Sequence, residues 1–562
     1  MFNHIFSSQT KTVTFAAFIL AVSGLISRIL GLVRDRLLAG HFGAGETLDI
    51  YFAAFRIPDF VYGILIMGGI TAAFLPVFSE YLSSVAPQGG TKEDARKKEW
   101  SPQALEFTNN VLNCFFILLV LICSVLAIFT PLIIRFIIPG FSLGNRALTI
   151  TLTRIMFLSP ILFGLSSIFS GILHYFSRFL TYSLAPILYN LGIIFGILFL
   201  VPIFGVFGLA YGVILGAFLH FMIQIPAAKI SGFKYKFVFN FRYPGLKKIF
   251  KLMIPRTIGS AAYHINLIVV TAIASTLTVG SIAIFNFSNN LYYFPIGLIG
   301  ISFAVSSFPV FSRFWANGQK KEFLENFSLS FRQILFFVTP VSLLMFLLRA
   351  QIVRLVLGTG QFGWLETRLT AASLGIFCFG IFAGSLIPLL TRAFFAFQDT
   401  KTPVAIGIAS MVINIIFCFL FTFLLKFPNI FRNFLVNLLK VQGIKNIEVT
   451  GLPLALSSAA IFQLFLLLVF LYKKIGNFKI KEILESLSKI LIASVLMVFC
   501  VYVIQQILAD FVNMQTFWGV FTQTAIASLV GIFVYFIITL ILKSPEVKTI
   551  KSAILKQFIP IP

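Results

Sequence analysis

Acidic side chains are scarce in this chain: 18 Asp and Glu stand against 43 Lys and Arg in 562 residues. Charged residues of both signs make up only 11%. A soluble domain carries about a quarter of its residues charged, so that class is excluded. There is no glycine-rich phosphate loop, no pair of catalytic carboxylates and no His/Cys cluster at metal-ligand spacing. Those absences, with loops too short for a catalytic domain, exclude an ATPase, a glycosyltransferase and a metalloenzyme. No cofactor and no metal are expected. The five cysteines (Cys114, Cys123, Cys378, Cys418, Cys500) all fall inside apolar runs without redox spacing, as small buried hydrophobes do. Strict apolar/polar alternation is missing as well, which excludes barrel strands. The N-terminus shows no cleavage pattern, so the first apolar run is expected to be a retained helix.

What is present is apolar length. Hydrophobic residues reach 59% and the mean hydropathy is +0.99. Runs such as Asn113 to Pro131 and Leu452 to Tyr472 are long enough to cross about 30 Å of hydrocarbon as helices. Hydrophobic runs read against polar breaks predict helices near 13–38, 49–82, 106–137, 147–175, 181–203, 206–228, 249–276, 282–312, 329–357, 366–394, 403–425, 451–472, 487–509 and 517–542. The expected fold class is an all-α polytopic membrane protein of about 14 transmembrane helices.

With an even number of spans both ends share one side. The loops of that side are the basic ones: Lys92 to Lys98, Lys229 to Lys251, Arg313 to Arg332, Lys473 to Lys489 and the tail from Lys543. The opposite loops are poor in Lys and Arg, and most of theirs lie between Lys426 and Lys445. The positive-inside rule therefore puts both termini in the cytoplasm, in a multi-pass protein of the cytoplasmic (inner) membrane. The net charge of +25 is accounted for by this asymmetry and by attraction to anionic lipid heads. No basic stretch forms a domain of its own, so nucleic acid is not an expected partner.

The chain also echoes itself. Pro76-Val77-Phe78-Ser79 recurs as Pro309-Val310-Phe311-Ser312, and Gly45 and Pro58 recur as Gly280 and Pro295. The fifth run has YNLGIIF where the eleventh has VINIIF, and the sixth and twelfth open on Gly208-Leu209 and Gly451-Leu452. These echoes predict two parallel six-helix lobes, 1–230 and 231–475, related by a pseudo-two-fold axis along the membrane normal. Residues 476–562 add two further helices and a cytoplasmic tail.

Charge inside the membrane is costly, about 2.5–3.5 kcal/mol for an arginine at mid-helix, and it marks function. Arg28, Arg34 and Arg56 lie in the first two runs, an arrangement suited to an anion-receiving cavity. Gly24, Arg28, Gly31 and Asp35 fall on one helical stripe, where the glycines are expected to admit another backbone. Arg34 is rotated away but long enough to reach the same space, and Arg36 suits a headgroup anchor. In the second run Pro58 breaks the ladder beside Arg56, while Gly63, Gly68 and Gly69 permit bending. Asp49 and Asp59 are candidate partners for the arginines. Guanidinium groups match phosphate in geometry and stay charged. His174, His220 and His264 are scattered singly, and His264 is the one placed to be a proton or ligand contact.

SRILGLVRDRLLAGHFGAGETLDIYFAAFRIPD and AFFAFQDTKTPV (Ala393 to Val404) resemble the MurJ (MviN) lipid II flippases of the multidrug/oligosaccharidyl-lipid/polysaccharide exporter superfamily, and the resemblance extends over essentially the whole chain. It implies a V-shaped pair of six-helix lobes around a cationic cavity, with the last two helices forming a groove for the lipid tail. It also implies export of the undecaprenyl-pyrophosphate-linked peptidoglycan precursor, with membrane lipids and cell-wall synthesis proteins as partners. The family's helix-1 arginines fall on Arg28 and Arg34, followed by Asp35, and its helix-2 acid falls on Asp49. Where relatives carry an arginine pair and an acid–glycine step after the helix-2 proline, this chain has Tyr62-Gly63 and Met67-Gly68. Where helix 8 offers an arginine, it has Asn290. Arg56, Tyr62, Asn289 and Asn290 are the residues left to bond a head group there. The place of a sodium-site acid on helix 7 holds Val270, which cannot coordinate. Two siblings compete with this expectation. One is an exporter of another polyprenyl-linked saccharide. The other is a drug/cation antiporter, which needs an intramembrane acid among Asp35, Asp49, Asp59 and Asp399.

Overall fold

A computed structural model describes residues 13–83, 100–444 and 446–547. The basic segment from Lys92 to Lys98, Lys445 and most of the tail beyond Lys543 lie outside the described residues. Among the described residues fourteen long helical rods follow one another, in places interrupted, with the shorter helices Arg349–Val356 and Ile430–Leu439 between them: α1 (Val13–Phe42), α2 (Glu46–Ala54, Arg56–Val61, Tyr62–Ile70 and Thr71–Ser83 end to end), α3 (Pro102–Ile137), α4 (Leu143–Tyr175), α5 (Phe179–Phe204), α6 (Phe207–Ile230) and α7 (Pro244–Ser275). Then come α8 (Ser281–Ala316), α9 (Lys320–Leu347), α10 (Trp364–Cys378 and Ile381–Ala396), α11 (Lys401–Lys426), α12 (Gly451–Ile475), α13 (Ile480–Phe511) and α14 (Phe517–Ile541).

Among the described residues eleven helices are long and apolar enough to cross a membrane, or thirteen if the two bent pairs in α7 and α10 each count as one span. The α1 helix, 30 residues long, is outside that count, and a rod of its length rises about 45 Å. The all-helical expectation holds; no strand occurs among the described residues. Starts follow capping chemistry: Ser101 accepts from the Ala104 N–H at 2.9 Å with Pro102 at the first position of α3, and Thr516 accepts from the Gly519 N–H at 3.0 Å ahead of α14.

The chain divides into two compact units, Met1–Ile282 and Ala283–Pro562. In the first, α7 packs along α2 and α3, although the sequence echoes count it with the second repeat. The α5–α6 contact is made backbone to backbone. A Cβ on Gly192 would stand 2.3 Å from the Gly216 Cα, and one on Gly196 2.4 Å from the Gly212 Cα. Glycines spaced by four on both helices permit that approach. Three asparagines of α3 hold the connection between α6 and α7: Asn109, Asn110 and Asn113 donate to the carbonyls of Lys234, Asn240 and Val238 at 3.0 Å each.

In the second unit, α8 packs on α10, α11 on α12, and α13 on both α9 and α14. Tyr535 of α14 donates to the Phe336 carbonyl of α9 at 2.7 Å. The repeat has a conformational counterpart. Both α2 and α8 widen to i→i+5 hydrogen bonding between their two prolines, over Tyr62–Ile70 in one and Ile296–Gly300 in the other. Such bulges bend a helix and recur at functional sites.

Candidate functional site

On α1 and α2 of the first unit, Arg34, Asp35, Asp49 and Arg56 have each found protein partners, whereas Asp59 borders a cavity. On α1, Arg34 grips Asp35 through Nε at 3.0 Å and Nη2 at 2.8 Å. Its Nη1 reaches the Asn190 amide oxygen of α5 at 3.4 Å. Asn190 in turn donates to the Ser27 carbonyl and hydroxyl, both at 3.2 Å. Asp35 is buried and Arg34 half-buried. Arg28, two turns earlier, is half-buried.

The stripe of small residues expected to admit a backbone does not do so. A Cβ on Gly24 would meet nothing within 4 Å, and one on Gly31 only the Asn190 side chain at 3.9 Å. The α1–α5 contact is instead polar, through Ser23–Ser183 at 3.0 Å and the Ser27–Asn190 bonds. Hydroxyls, not glycines, set that spacing.

On α2, Asp49 accepts from the Gly280 N–H at 2.7 Å, so its carboxylate fastens the loop that follows α7. Gly280 has φ +91°, and a Cβ there would collide with the Ala44 carbonyl. Arg56 is buried and donates through Nε to Thr271 Oγ1 at 2.6 Å. That hydroxyl in turn donates to the Leu267 carbonyl at 2.8 Å. Asp59 is therefore not the direct partner of Arg56, although it lies within electrostatic range of both Arg56 and Arg34. Asp59 and Tyr62 line a cavity of about 260 Å³ with Ser159 and Phe163 of α4, Tyr189 of α5 and His220 of α6.

His264 of α7 lies against α2 where Gly63 leaves room: a Cβ on Gly63 would fall on its imidazole. Ser260, one turn earlier, donates to the Gly63 carbonyl at 2.9 Å. In the second unit, Asn289 is buried with no hydrogen-bond partner at Oδ1, while its neighbour Asn290 is exposed. The structure thus joins Arg34 to Asp35, and sets Tyr62 beside Asp59. It ties Asp49 to Gly280 and Arg56 to Thr271. Asn190, Thr271, Tyr189 and His220 were missed as members. Tyr189 and Asn190 were visible in the sequence only as part of an internal echo, His220 only as a lone histidine, and Thr271 sits in an ordinary apolar context.

A family model described as "Lipid II flippase MurJ" matches residues 38–522. The chain belongs to the MurJ lipid II flippase family. A probable lipid II flippase MurJ of Buchnera aphidicola subsp. Schizaphis graminum is 31% identical over 491 residues, covering 85% of this chain and 88% of that one. The lipid II flippase MurJ of Burkholderia cenocepacia is 27% identical over 407 residues, 70% of this chain and 76% of that one. A solved structure of a lipid II flippase MurJ in an inward closed conformation superposes with a TM-score of 0.72 at 25% identity, over 93% of this chain and 98% of that one. An inward-facing multidrug resistance transporter of the MATE family and MOP superfamily shares the fold, with a TM-score of 0.64 at 16% identity over 83% and 99%. The family is one of multi-pass membrane transporters rather than enzymes.

Proposed function

We propose that this protein moves lipid II, the polyprenyl-pyrophosphate-linked peptidoglycan precursor, from the inner to the outer leaflet of the cytoplasmic membrane. The relatives' names support the substrate. The observation that carries the site is the pair of arginines on α1 and α2, Arg34 and Arg56, with side chains ordered by hydrogen bonds. Arg28, Arg34 and Arg56 hold the pyrophosphate, with Asp35 and Asp49 setting the local charge and backbone; Tyr62, Asn289 and Asn290 add neutral hydrogen bonds. Two six-helix repeats, 1–230 and 231–475, alternate access to the two leaflets while the lipid tail stays in hydrocarbon beside 476–562. Both termini lie in the cytoplasm. A head group of about two negative charges gains roughly 4–5 kcal/mol on moving outward across about 100 mV, inside negative, which drives export without ATP.

The test is a flipping assay in proteoliposomes with Arg28→Ala and Arg34→Ala. Loss of flipping is expected; unchanged transport by both variants refutes the clamp. His264 lies over Gly63, next to Tyr62, where the family resemblance leads one to expect arginine, which favours, as a second reading, another polyprenyl-linked saccharide. Depletion followed by chemical identification of the precursor that accumulates separates the two.

A further inference from the structure

Among the described residues of α1 and α2, every acid but one has a direct partner. Asp35 takes Arg34, Asp49 the Gly280 N–H, Glu46 the Asn145 amide and Glu80 the Lys248 ammonium. Asp59 has no hydrogen bond to its carboxylate and no ion pair within bonding distance. It borders the cavity of about 260 Å³ instead. The titratable and charged groups around it come from every neighbouring helix: Arg34 on α1; Tyr51, Arg56 and Tyr62 on α2; Tyr189 on α5; His220 on α6. From α7, Tyr263 and His264 stand beside Arg56. The α4 wall adds Ser159 and Phe163, neither of which titrates.

Charge bookkeeping around Asp59 then has one free variable. Arg34 is neutralised by Asp35, which leaves Arg56 and Asp59 opposed in a shared low-dielectric space. With Asp59 ionised the four groups sum to zero; with Asp59 protonated they carry one positive charge. An anionic head group sees a more attractive site in the second state.

We propose that Asp59 takes up a proton when a lipid diphosphate binds at Arg34 and Arg56, so that protonation and head-group binding favour each other. This rests on the lipid-diphosphate reading above. Thermodynamic linkage makes the coupling reciprocal.

His220, on the wall of the same cavity, heads a hydrogen-bonded line of side chains. Its Nδ1 lies 2.7 Å from Ser166 Oγ, Gln224 Nε2 donates to that oxygen at 2.6 Å, and Ser170 Oγ donates to Gln224 Oε1 at 2.8 Å. Ser166 Oγ accepts from Gln224 and also lies 3.5 Å from the His220 carbonyl, a second acceptor for its hydroxyl proton besides Nδ1. The chain of four side chains runs along α4 and α6 towards Lys229 and the basic connection. A metal cation fits this cavity poorly. Ser159 Oγ already donates to the Met156 carbonyl at 2.8 Å, and no group of three His, Cys, Asp or Glu gathers among the described residues. The remaining carboxylate and two phenols fall short of the roughly six oxygens a hard cation takes.

Calorimetric titration of the full-length protein in nanodiscs tests this, using a short-chain, water-soluble lipid II analogue as probe. Its diphosphate is a diester and does not titrate between about pH 5.5 and 8. Titrations in two buffers of different ionisation enthalpy count the protons exchanged. For the wild type, net proton uptake on binding is expected, with affinity weakening as pH rises by roughly 5- to 150-fold in all. Asp59→Asn is expected to bind the probe without proton uptake and with a flat pH profile. Binding by the wild type without proton exchange overturns the proposal, and so does unchanged uptake in Asp59→Asn; the first needs no variant. No binding of the probe by the wild type at any pH overturns the transport reading itself, and this proposal with it.

Discussion

Arg34 and Asp35 allow stability and transport to be separated by experiment. At 2.8 Å the pair attracts by about 6 kcal/mol at an effective dielectric of about 20. Most of that is offset by the cost of removing both ions from water, so the net value of the pair is small. What is large is the penalty for removing one member. Arg34→Leu leaves the Asp35 carboxylate, 3% exposed, without its cation, a change that costs about 3–5 kcal/mol. Arg34→Leu combined with Asp35→Leu removes both charges and is expected to unfold within about 1 kcal/mol of the wild type, or later. Neither variant should flip lipid II, because both lack the guanidinium. Thermal unfolding in detergent reads the first quantity and a proteoliposome flipping assay the second. A single variant as stable as the wild type would show that Asp35 does not depend on Arg34. A stable double variant that flips at the normal rate would remove Arg34 from the substrate site.

Three further outcomes follow from local geometry. Gly192→Ala places a Cβ 2.3 Å from the Gly216 Cα, so α5 and α6 must part, at about 1–3 kcal/mol; a lowered melting temperature that no side-chain trimming on α6 rescues is expected. Arg332→Ala strands Glu546, fully buried and 3.2 Å from the Arg332 guanidinium, and should destabilise the second unit by about 3–5 kcal/mol, read by detergent melting against Arg332→Lys. In the loop before α11, burial alone would raise the Asp399 carboxyl. The Lys474 ammonium at 2.6 Å and the Thr402 N–H and hydroxyl outweigh it and hold the group below its usual value. A depressed carboxylate stabilises the fold above about pH 4 and loses that contribution as pH falls through its folded value. The melting temperatures of wild type and Asp399→Asn should therefore differ at pH 6 and converge towards pH 3.

Helix content was legible because hydrocarbon tolerates few alternatives: an apolar run of twenty-odd residues must satisfy its own backbone. The rarity of charge at that depth made Arg34 and Arg56 legible for the same reason. Their partners were not. Arg56 meets Thr271 across 215 residues and Arg34 meets Asn190 across 156, distances over which periodicity carries no signal. Helical phase pointed Arg34 away from Asp35, and it is the length of the side chain that brings its guanidinium back to that neighbour. The glycine reading failed. Gly24 and Gly31 looked like contact points because they shared a stripe with charge. Gly192, Gly196, Gly212 and Gly216, equally regular, are the ones that touch backbone. The cavity beside Asp59 belongs to four helices at once, and no single run contains it.

That each arginine already has a partner bears on how a carrier must work. A guanidinium left bare would bind a diphosphate too tightly to release it across a cycle. One that exchanges a protein acceptor for a phosphate oxygen binds by the difference between two charge-assisted bonds, each worth about 1.5–3 kcal/mol. Thr271 is the acceptor that Arg56 gives up: its hydroxyl is 2.6 Å from Nε and 1% exposed. Thr271→Val keeps the side-chain shape and removes that acceptor. The variant is expected to bind the head group more tightly by up to about 1.5–3 kcal/mol, roughly 10- to 150-fold, and to turn over more slowly because release becomes the slow step. Binding of the short-chain analogue and single-turnover flipping measure the two effects separately. Weaker binding in Thr271→Val would mean that the hydroxyl orients Arg56 for the substrate rather than competing with it, and the exchange argument would fall.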